Sequence, residues 1–355
     1  MKILVPIVGF GSSGGYRVLS RLTTEWSRAG HDVTIVTPMG TAPPYHPTEA
    51  RVCWSPMLGP VAGVNAVEPQ RWQGARNIVS VWNATRRLAG YDVVLANQCL
   101  TALPVLLAGA PQAARFYYIQ ADEAEYYRDE HAPVKAALAR LSYALPFRQI
   151  VNAPMYCGHA AMRATEYVPP GVDLQTFHSR EPRNFGDGQT VVLGCIGRHE
   201  PAKGTRYVLD AFVALAAVDP RFRLRVAYGN LPAGWQHPAA EVVVPRNDDE
   251  LADYYRSVDI LIAPGTVQHG APHYPVMEAM ACGTPVVTTG YMPAAPDNCW
   301  LVANHDPHAI AAACRAIVAD PAYGDRVARA SLAMQAFAWP TVAAKMLTIF
   351  AGARA

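Results

Sequence analysis

With 355 residues, 51% of them apolar, the chain is long enough for two domains of ordinary size, each with its own core. Thirty Lys and Arg against 28 Asp and Glu give no strong field that would select nucleic acid; residues 1–167 hold 15 basic and 11 acidic side chains, residues 168–355 hold 15 and 17. The 7 cysteines include no C-x-x-C pair, so a structural metal or a disulfide framework is not expected, and reduced thiols fit better.

Met1–Gly11 begins with one lysine and a short apolar run, then a Gly/Ser turn without a small-residue cleavage site; it reads as a buried strand, Ile3–Val8, and not as a leader. No window approaches 18 uninterrupted apolar residues, so no membrane span is expected. A helix over about Tyr16–Ala29 follows, stopped by Gly30, and then a strand at Val33–Thr37. Residues 40–75 read as loops with one edge strand, and further strands are expected at Val93–Ala96, Phe116–Gln120 and Ile150–Asn152. Pro169, Pro170 and Gly171 break the pattern and mark a connector. A second alternating series follows: strand Val191–Ile196, helix Thr205–Ala217, strands Arg223–Tyr228 and Glu241–Val244, helix Glu250–Arg256, strand Ile260–Ala263, helix Val276–Ala281 and strand Pro285–Thr288. Val208, Leu209, Phe212, Leu215 and Ala216 give helix 205–217 one apolar face. The pattern is α/β throughout: two Rossmann-like, doubly wound domains, with ligands expected at the carboxyl ends of the strands and a cleft between the domains as the natural active site.

Three loops carry chemistry. Gly9-Phe-Gly11-Ser-Ser-Gly14 matches G-x-G-x-x-G between a strand and a helix, but the second strand ends in Thr37-Pro38 without the carboxylate that a nicotinamide dinucleotide's ribose requires. The turn then lines a ligand with backbone N–H groups, or serves packing alone. Arg198 follows the first strand of the second domain and Lys203 precedes a helix start at Gly204, a forked guanidinium and a point charge suited to a diphosphate. Pro275 suits the first position of a short helix ended by Gly283, whose first-turn N–H groups are expected to face phosphate oxygens. Glu278, one turn in, suits a pair of ribose hydroxyls or simply complements the helix dipole.

Together these segments resemble the retaining glycosyltransferases of family four (glycosyl transferases group 1), which have the GT-B fold. The likeness spans nearly the whole chain. Met1–Pro38 with Gly14-Gly15 is similar to that family's opening; Val168–Asp173 to its "IPNGVD"; Gly197-Arg198 with Lys203-Gly204 to its "GR…KG"; Pro275–Val287 to its "PxxEAMACGTPVV"; and Phe337-Ala-Trp339 to its "FSW" turn before the terminal helix. The resemblance implies an acceptor domain over 1–167, a nucleotide-sugar donor domain over 168–335 and a helix at 336–355 crossing back to the first domain. It implies transfer of a hexosyl unit from a nucleoside-diphosphate sugar to a saccharide or glycolipid hydroxyl with retained configuration, in cell-surface polysaccharide synthesis. Neither metal nor cofactor is then expected, since Arg198 and Lys203 hold the diphosphate with N–H groups around Tyr274, Pro275, Val276 and Met277. Glu278 would bind ribose, while Gly14, Gly15 and Gly197 approach the donor. The expected setting is the cytoplasm, or the inner membrane face through a peripheral contact.

Two positions depart from the family pattern. Its second glutamate, eight residues before Glu278, is Gly270 here, so His269 or His273 becomes the candidate for contact with the donor sugar. Its active-site histidine in "DVVHAH" is Asn97, an amide that hydrogen-bonds a hydroxyl but carries no proton at neutral pH. On the acceptor side, Gln120 is the first polar residue after an apolar strand. The aromatic, acidic stretch Arg115–Arg128 suits either a carbohydrate or a helix packed on its own domain. A nucleotide-sugar epimerase and a non-catalytic nucleotide-sugar-binding homologue of the same fold stay open as alternatives.

Overall fold

The structure, a computed structural model, describes residues 1–66, 73–88, 90–109, 112–129, 131–179, 185 and 188–353. Residues 67–72 of the loop stretch 40–75, and 354–355 of the terminal segment, lie outside them. The chain divides into two compact units, Met1–Gly171 with Trp339–Ala355, and Val172–Ala338.

In the first unit, β1 (Lys2–Pro6), α1 (Gly14–Arg28), β2 (Asp32–Pro38), β3 (Arg51–Ser55), α2 (Gln73–Arg87) and β4 (Val93–Ala96) come first. Then follow α3 (Cys99–Leu107), β5 (Ala114–Ile119), α4 (Glu123–Asp129), α5 (Pro133–Tyr143), β6 (Arg148–Val151) and β7 (Glu166–Tyr167). The seven strands are parallel in the order β3-β2-β1-β4-β5-β6-β7. Strands with helices on both faces must be apolar on both sides, and Ile3, Leu4 and Val5 are accordingly consecutive and fully buried. The chain builds β2 first on one side of β1 and β4 later on the other, so the winding reverses between β1 and β4.

The terminal helix, Trp339–Ala351, belongs to this unit. Trp26 of α1 is fully buried, meets Phe350 edge-on at 5.5 Å and donates its indole N–H to the Ala343 carbonyl at 3.3 Å. Phe350 in turn lies 4.7 Å from the Phe116 ring. Where the chain leaves the unit, a Cβ on Gly171 would stand 2.5 Å from the Trp339 ring, so this position has room only for glycine.

The second unit runs β8 (Val191–Ile196), α6 (Thr205–Val218), β9 (Phe222–Ala227), β10 (Ala240–Val243), α7 (Asp248–Ser257) and β11 (Ile260–Ala263). It ends with α8 (Tyr274–Ala281), β12 (Val286–Thr288), β13 (Trp300–Leu301), α9 (Pro307–Ala319) and α10 (Tyr323–Ala333). Its six parallel strands take the order β10-β9-β8-β11-β12-β13, and the winding reverses between β8 and β11. α6 buries Val208, Leu209, Phe212 and Leu215, whereas α8 is buried all round from Val276 to Ala281 and makes the centre of a core with Tyr255 and Met334.

Several expected boundaries shift. β1 ends at Pro6 and not at Val8, with Ile7 still bonded to Val36, and the turn is made at Gly9 (φ 147°). α1 starts at Gly14, two residues earlier than Tyr16. α8 starts at Tyr274, which puts Pro275 second in the helix. Replacing Phe350 by Ala should cost about 3–5 kcal/mol of unfolding free energy, because the ring fills the space between Trp26 and Phe116. Denaturant unfolding of the full chain measures it; a loss below about 1 kcal/mol would mean the terminal helix is held by other contacts.

Candidate functional site

The winding of the second unit reverses between β8 and β11, and the loops leaving these two neighbouring strands hold the residues of interest. After β8, Gly197 and Arg198 lead to a 3-10 turn, Pro201–Lys203, and then α6. After β11, residues 264–273 lead into α8. The loops are sewn together: Thr266 donates its N–H to the Ala202 carbonyl at 2.8 Å, and a Cβ on Gly204 (φ 76°) would stand 2.2 Å from the Pro264 carbonyl oxygen. Thr205 closes the first loop on itself, accepting from the Arg198 N–H at 3.0 Å and donating to the Arg198 carbonyl at 2.9 Å.

Three nitrogen-bearing side chains meet here. The Arg198 guanidinium forks onto Glu200, with Nη2 at 2.7 Å and Nε at 3.2 Å, and this pairing holds the Glu200 carboxyl down at about 2. Both partners are half exposed, so the pair is weakly held and open to exchange for a stronger anion. Lys203 is half-buried, and among the described residues its ammonium has no hydrogen-bond or ion-pair partner. Burial first and the nearby Arg198 second lower its pKa. His273 stacks on Tyr291 at 4.5 Å, and its Nδ1 is buried without a partner among the described residues. Burial pushes this imidazole down to about 3, and the charges of Lys203 and then Arg198 act in the same direction. The ring is therefore neutral at pH 7, with one N–H to give.

Other expected residues are placed differently. Val276 and Met277 both turn their N–H to the His273 carbonyl, at 3.0 and 3.1 Å, and Pro275 has none. Of the expected amide cradle, Tyr274 alone supplies an N–H not bonded to that carbonyl. Glu278 is 2% exposed and accepts the Tyr255 hydroxyl at 3.0 Å. His269 has its Nε2 3.2 Å from the Gly265 carbonyl. Gly270 is left-handed (φ 86°) and bonds to Gly290 at 2.9 Å, a backbone that disfavours the side chain of the family's glutamate. Gly197 has a packing cause too: a Cβ there would lie 1.7 Å from the Gly229 carbonyl oxygen.

In the first unit, Asn97 follows β4 where the winding reverses. It is 2% exposed and donates Nδ2 to the Pro6 carbonyl of β1 at 2.8 Å, which fixes the amide orientation and leaves its buried Oδ1 without a partner among the described residues. Gln120, after β5, donates to the Gly15 carbonyl at 3.3 Å. A Cβ on Gly15 would make ordinary 3.5 Å contacts with Gln120, so packing does not demand glycine there. Asn152, after β6, donates to the Gln120 carbonyl, and its Oδ1 is likewise buried and unpaired among the described residues. The aromatic stretch is chiefly structural. Tyr117 and Tyr118 are fully buried, Asp122 caps α4, and Glu123 accepts the Cys99 N–H at 3.0 Å; burial raises its carboxyl although that hydrogen bond acts the other way.

The matches to known proteins fall on this geometry. Residues 190–320, the stretch holding Arg198, Lys203, His273 and Glu278, match the family described as Glycosyl transferases group 1. This segment belongs to the group 1 glycosyltransferases. Relatives named D-inositol 3-phosphate glycosyltransferase include one from Streptosporangium roseum, 29% identical over 228 residues (55% of this chain, 51% of the relative). Another, from Geodermatophilus obscurus, is 33% identical over 185 residues (44% and 41%). The chain thus spans about half the length of the curated relatives it matches. Among solved structures, sucrose-phosphate synthase from Thermosynechococcus elongatus superposes with TM-score 0.74 at 18% identity, covering 99% of both chains. HepE from Anabaena, solved with UDP and glucose, gives 0.71 at 16%, covering 99% of this chain and 100% of that one. WaaG, described as involved in lipopolysaccharide biosynthesis, gives 0.69 at 17% with the same coverage. At these identities the likeness establishes the fold, GT-B with two Rossmann-like domains.

Within this glycosyltransferase segment, Tyr228, Thr205, Glu200 and Tyr291 are residues that motif matching passes over. Tyr228, Gly229 and Asn230 are consecutive left-handed residues (φ 64°, 66° and 50°) at the end of β9, beside Gly197. Asn230 pins the turn by donating to the Gly197 carbonyl at 3.0 Å. A tyrosine in this conformation is strained, so Tyr228→Gly should raise stability by about 1 kcal/mol, read from the denaturant midpoint; a lower midpoint would mean that its side-chain contacts outweigh the strain.

His273 gives a pH prediction. Unfolded, it binds a proton below its ordinary 6.5; folded, only below about 3. Acid therefore favours the unfolded chain, and the contribution of His273, complete above 6.5, is lost as pH falls toward 3. The slope is at most ~1.4 kcal/mol per pH unit, less for this part-exposed ring. His273→Asn should flatten that limb of a stability–pH curve; an unchanged limb would show that the ring protonates freely in the folded state.

Proposed function

We propose that this chain is a retaining hexosyltransferase that moves a sugar from a nucleoside diphosphate to a hydroxyl of a saccharide or glycolipid in the cytoplasm, as a step in cell-surface polysaccharide synthesis. The observation that carries the reading is the Lys203 ammonium, drawn partly out of water beside Arg198, with no hydrogen-bond or ion-pair partner among the described residues and only the attraction of Glu200, which is bound to Arg198, to offset it. A cation held partly out of water without a hydrogen bond is costly, and a bound diphosphate lowers that cost. Glu200 occupies the guanidinium fork until a phosphate takes its place with the same bidentate geometry. The family of residues 190–320, the names of the relatives and the UDP-glucose bound in HepE support a nucleotide sugar as that anion.

In the reaction proposed, the glycosidic bond breaks toward the diphosphate, and Arg198 and Lys203 offset the charge that grows on it. The departing phosphate oxygen takes the proton of the acceptor hydroxyl as that hydroxyl attacks from the same face, so configuration is kept and no protein nucleophile, metal ion or cofactor takes part. Glu278, steadied by Tyr255, binds ribose hydroxyls, and His273 gives its N–H to the donor. In the first unit, the unpaired Oδ1 atoms of Asn97 and Asn152 accept from hydroxyls, which suits an uncharged sugar face.

Thermal shift with UDP-, GDP- and dTDP-glucose should find one donor that stabilises the chain. Lys203→Ala and Arg198→Ala should each weaken that donor by about tenfold or more, the worth of a charge-assisted hydrogen bond. Nucleoside diphosphate should then be released only with an acceptor present, inositol 3-phosphate and oligosaccharides being the first to try. Full affinity in both variants would overturn the site.

A further inference from the structure

The first unit holds a cavity of about 670 Å³ at the edge of its sheet opposite to Asn97, Gln120 and Asn152. Those three follow the carboxyl ends of β4, β5 and β6, whereas the cavity is lined by the first residues of β6 and β7, Arg148 and Glu166. Lys345 and Ile349 of the terminal helix form another wall, and Phe147 adds to the apolar floor. The cavity has a topological cause. A loop with a single 3-10 turn, Pro154–Tyr156, joins β6 to β7 where a helix usually joins parallel strands, so this edge of the sheet is thinly covered. Its lining is charged, with Arg148, Arg163 and Lys345 against the one carboxylate of Glu166. Arg163 is already engaged: its Nη2 donates to the Ala144 and Leu145 carbonyls, at 2.8 and 2.6 Å, and closes the end of α5. Arg148 and Lys345 have no hydrogen-bond or ion-pair partner among the described residues, and the Lys345 ammonium rests 3.5 Å from the centre of the Tyr167 ring. Glu166 forms no ion pair with any of the three among the described residues.

We infer that this cavity binds a phosphate monoester of a small hydroxylated molecule. Its volume falls within the range of small-molecule sites, roughly 300–1,000 Å³. Helix carboxyl ends gather at this edge of a parallel sheet and make its field negative, so an anion is held here only by side-chain cations. Arg148 and Lys345 supply them: the guanidinium fork takes two phosphate oxygens and the ammonium adds a point charge. The excess of two positive charges in the lining matches a monoester, which carries close to two negative charges at neutral pH, better than a diester, which carries one. Glu166 turns away a second anionic group and accepts from hydroxyls of the ester, while Phe147 and Ile349 cover its carbon atoms. A ligand held by both Arg148 and Lys345 ties the terminal helix to the sheet, so binding stabilises the first unit. The inference uses no residue of the donor site and stands independently of it.

Calorimetric titration of the full chain with glycerol 3-phosphate tests it, with inorganic phosphate and glycerol as references. The ester should bind saturably and raise the melting temperature; inorganic phosphate should bind more weakly, and glycerol should not bind. Arg148→Ala and Lys345→Gln should each weaken the ester by about tenfold or more, the worth of a charge-assisted hydrogen bond. Glu166→Gln should narrow the ester's advantage over inorganic phosphate, because it removes both an acceptor for hydroxyls and a charge that repels phosphate. Arg148 is exposed, so without ligand Arg148→Ala should melt at the wild-type temperature, which separates lost binding from lost folding. Arg198→Ala and Lys203→Ala should leave the ester's affinity unchanged, which keeps this cavity distinct from the diphosphate site. The absence of saturable binding would overturn the inference. So would an affinity that Arg148→Ala and Lys345→Gln leave intact, above all if Arg198→Ala abolishes it, since the ester would then occupy the donor site.

Discussion

A cation held partly out of water, with no hydrogen-bond or ion-pair partner among the described residues, is the constraint around which the second unit is arranged. Lys203 lies next to Arg198, a like charge, and both lean on His273. The fold tolerates this because the neighbours adjust. Arg198 is balanced by Glu200, and His273 is kept neutral, so the cluster carries less net charge than its residue types suggest. The cost that remains is confined to one ammonium at the mouth of two loops. In the function proposed, a bound anion lowers that cost, and the site would thereby select a polyanionic ligand.

The glycines of the site show how a motif can be right for a cause other than the one first assigned. A glycine beside a phosphate site invites the explanation that backbone must approach ligand. Gly197 and Gly204 are instead required by protein against protein, through the carbonyls of Gly229 and Pro264. Gly270 is required by its left-handed backbone. These contacts hold the loops after β8 and β11 in register, and that register brings Arg198, Lys203 and His273 together. The clustering of these three side chains is then a consequence of loop packing.

Much of this was legible in the sequence. Strands β4 and β11 fall where the apolar runs place them, and the cation pair and α8 stand at the expected strand ends. Period and punctuation failed for α3, which is apolar on every side and carries Pro104 inside, so it shows neither a helical stripe nor a helix-like composition. The free amides expected at the start of α8 were lost to a local effect: the His273 carbonyl collects two N–H groups, a detail of backbone torsion with no residue-type signal. Tyr291 stacks on His273 from beyond the next strand, and only the sheet order makes them neighbours. Tyr228 was hidden for a related reason, since nothing in a tyrosine's identity announces φ of 64°.

The two units share one topology and differ in what they place where the winding reverses. Helix starts gather at that edge of a parallel sheet and give it a positive field in either case. The second unit adds Arg198 and Lys203 to that field. In the first unit the strand ends carry Asn97, Gln120 and Asn152, each tied by its amide N–H to a backbone carbonyl of the same unit, and two of them keep a buried oxygen without a partner among the described residues. An amide oxygen accepts from a hydroxyl, whereas a phosphate oxygen finds no donor in it. The chemical distinction between the units therefore comes from a few side chains at equivalent strand ends, while the shared backbone supplies their geometry.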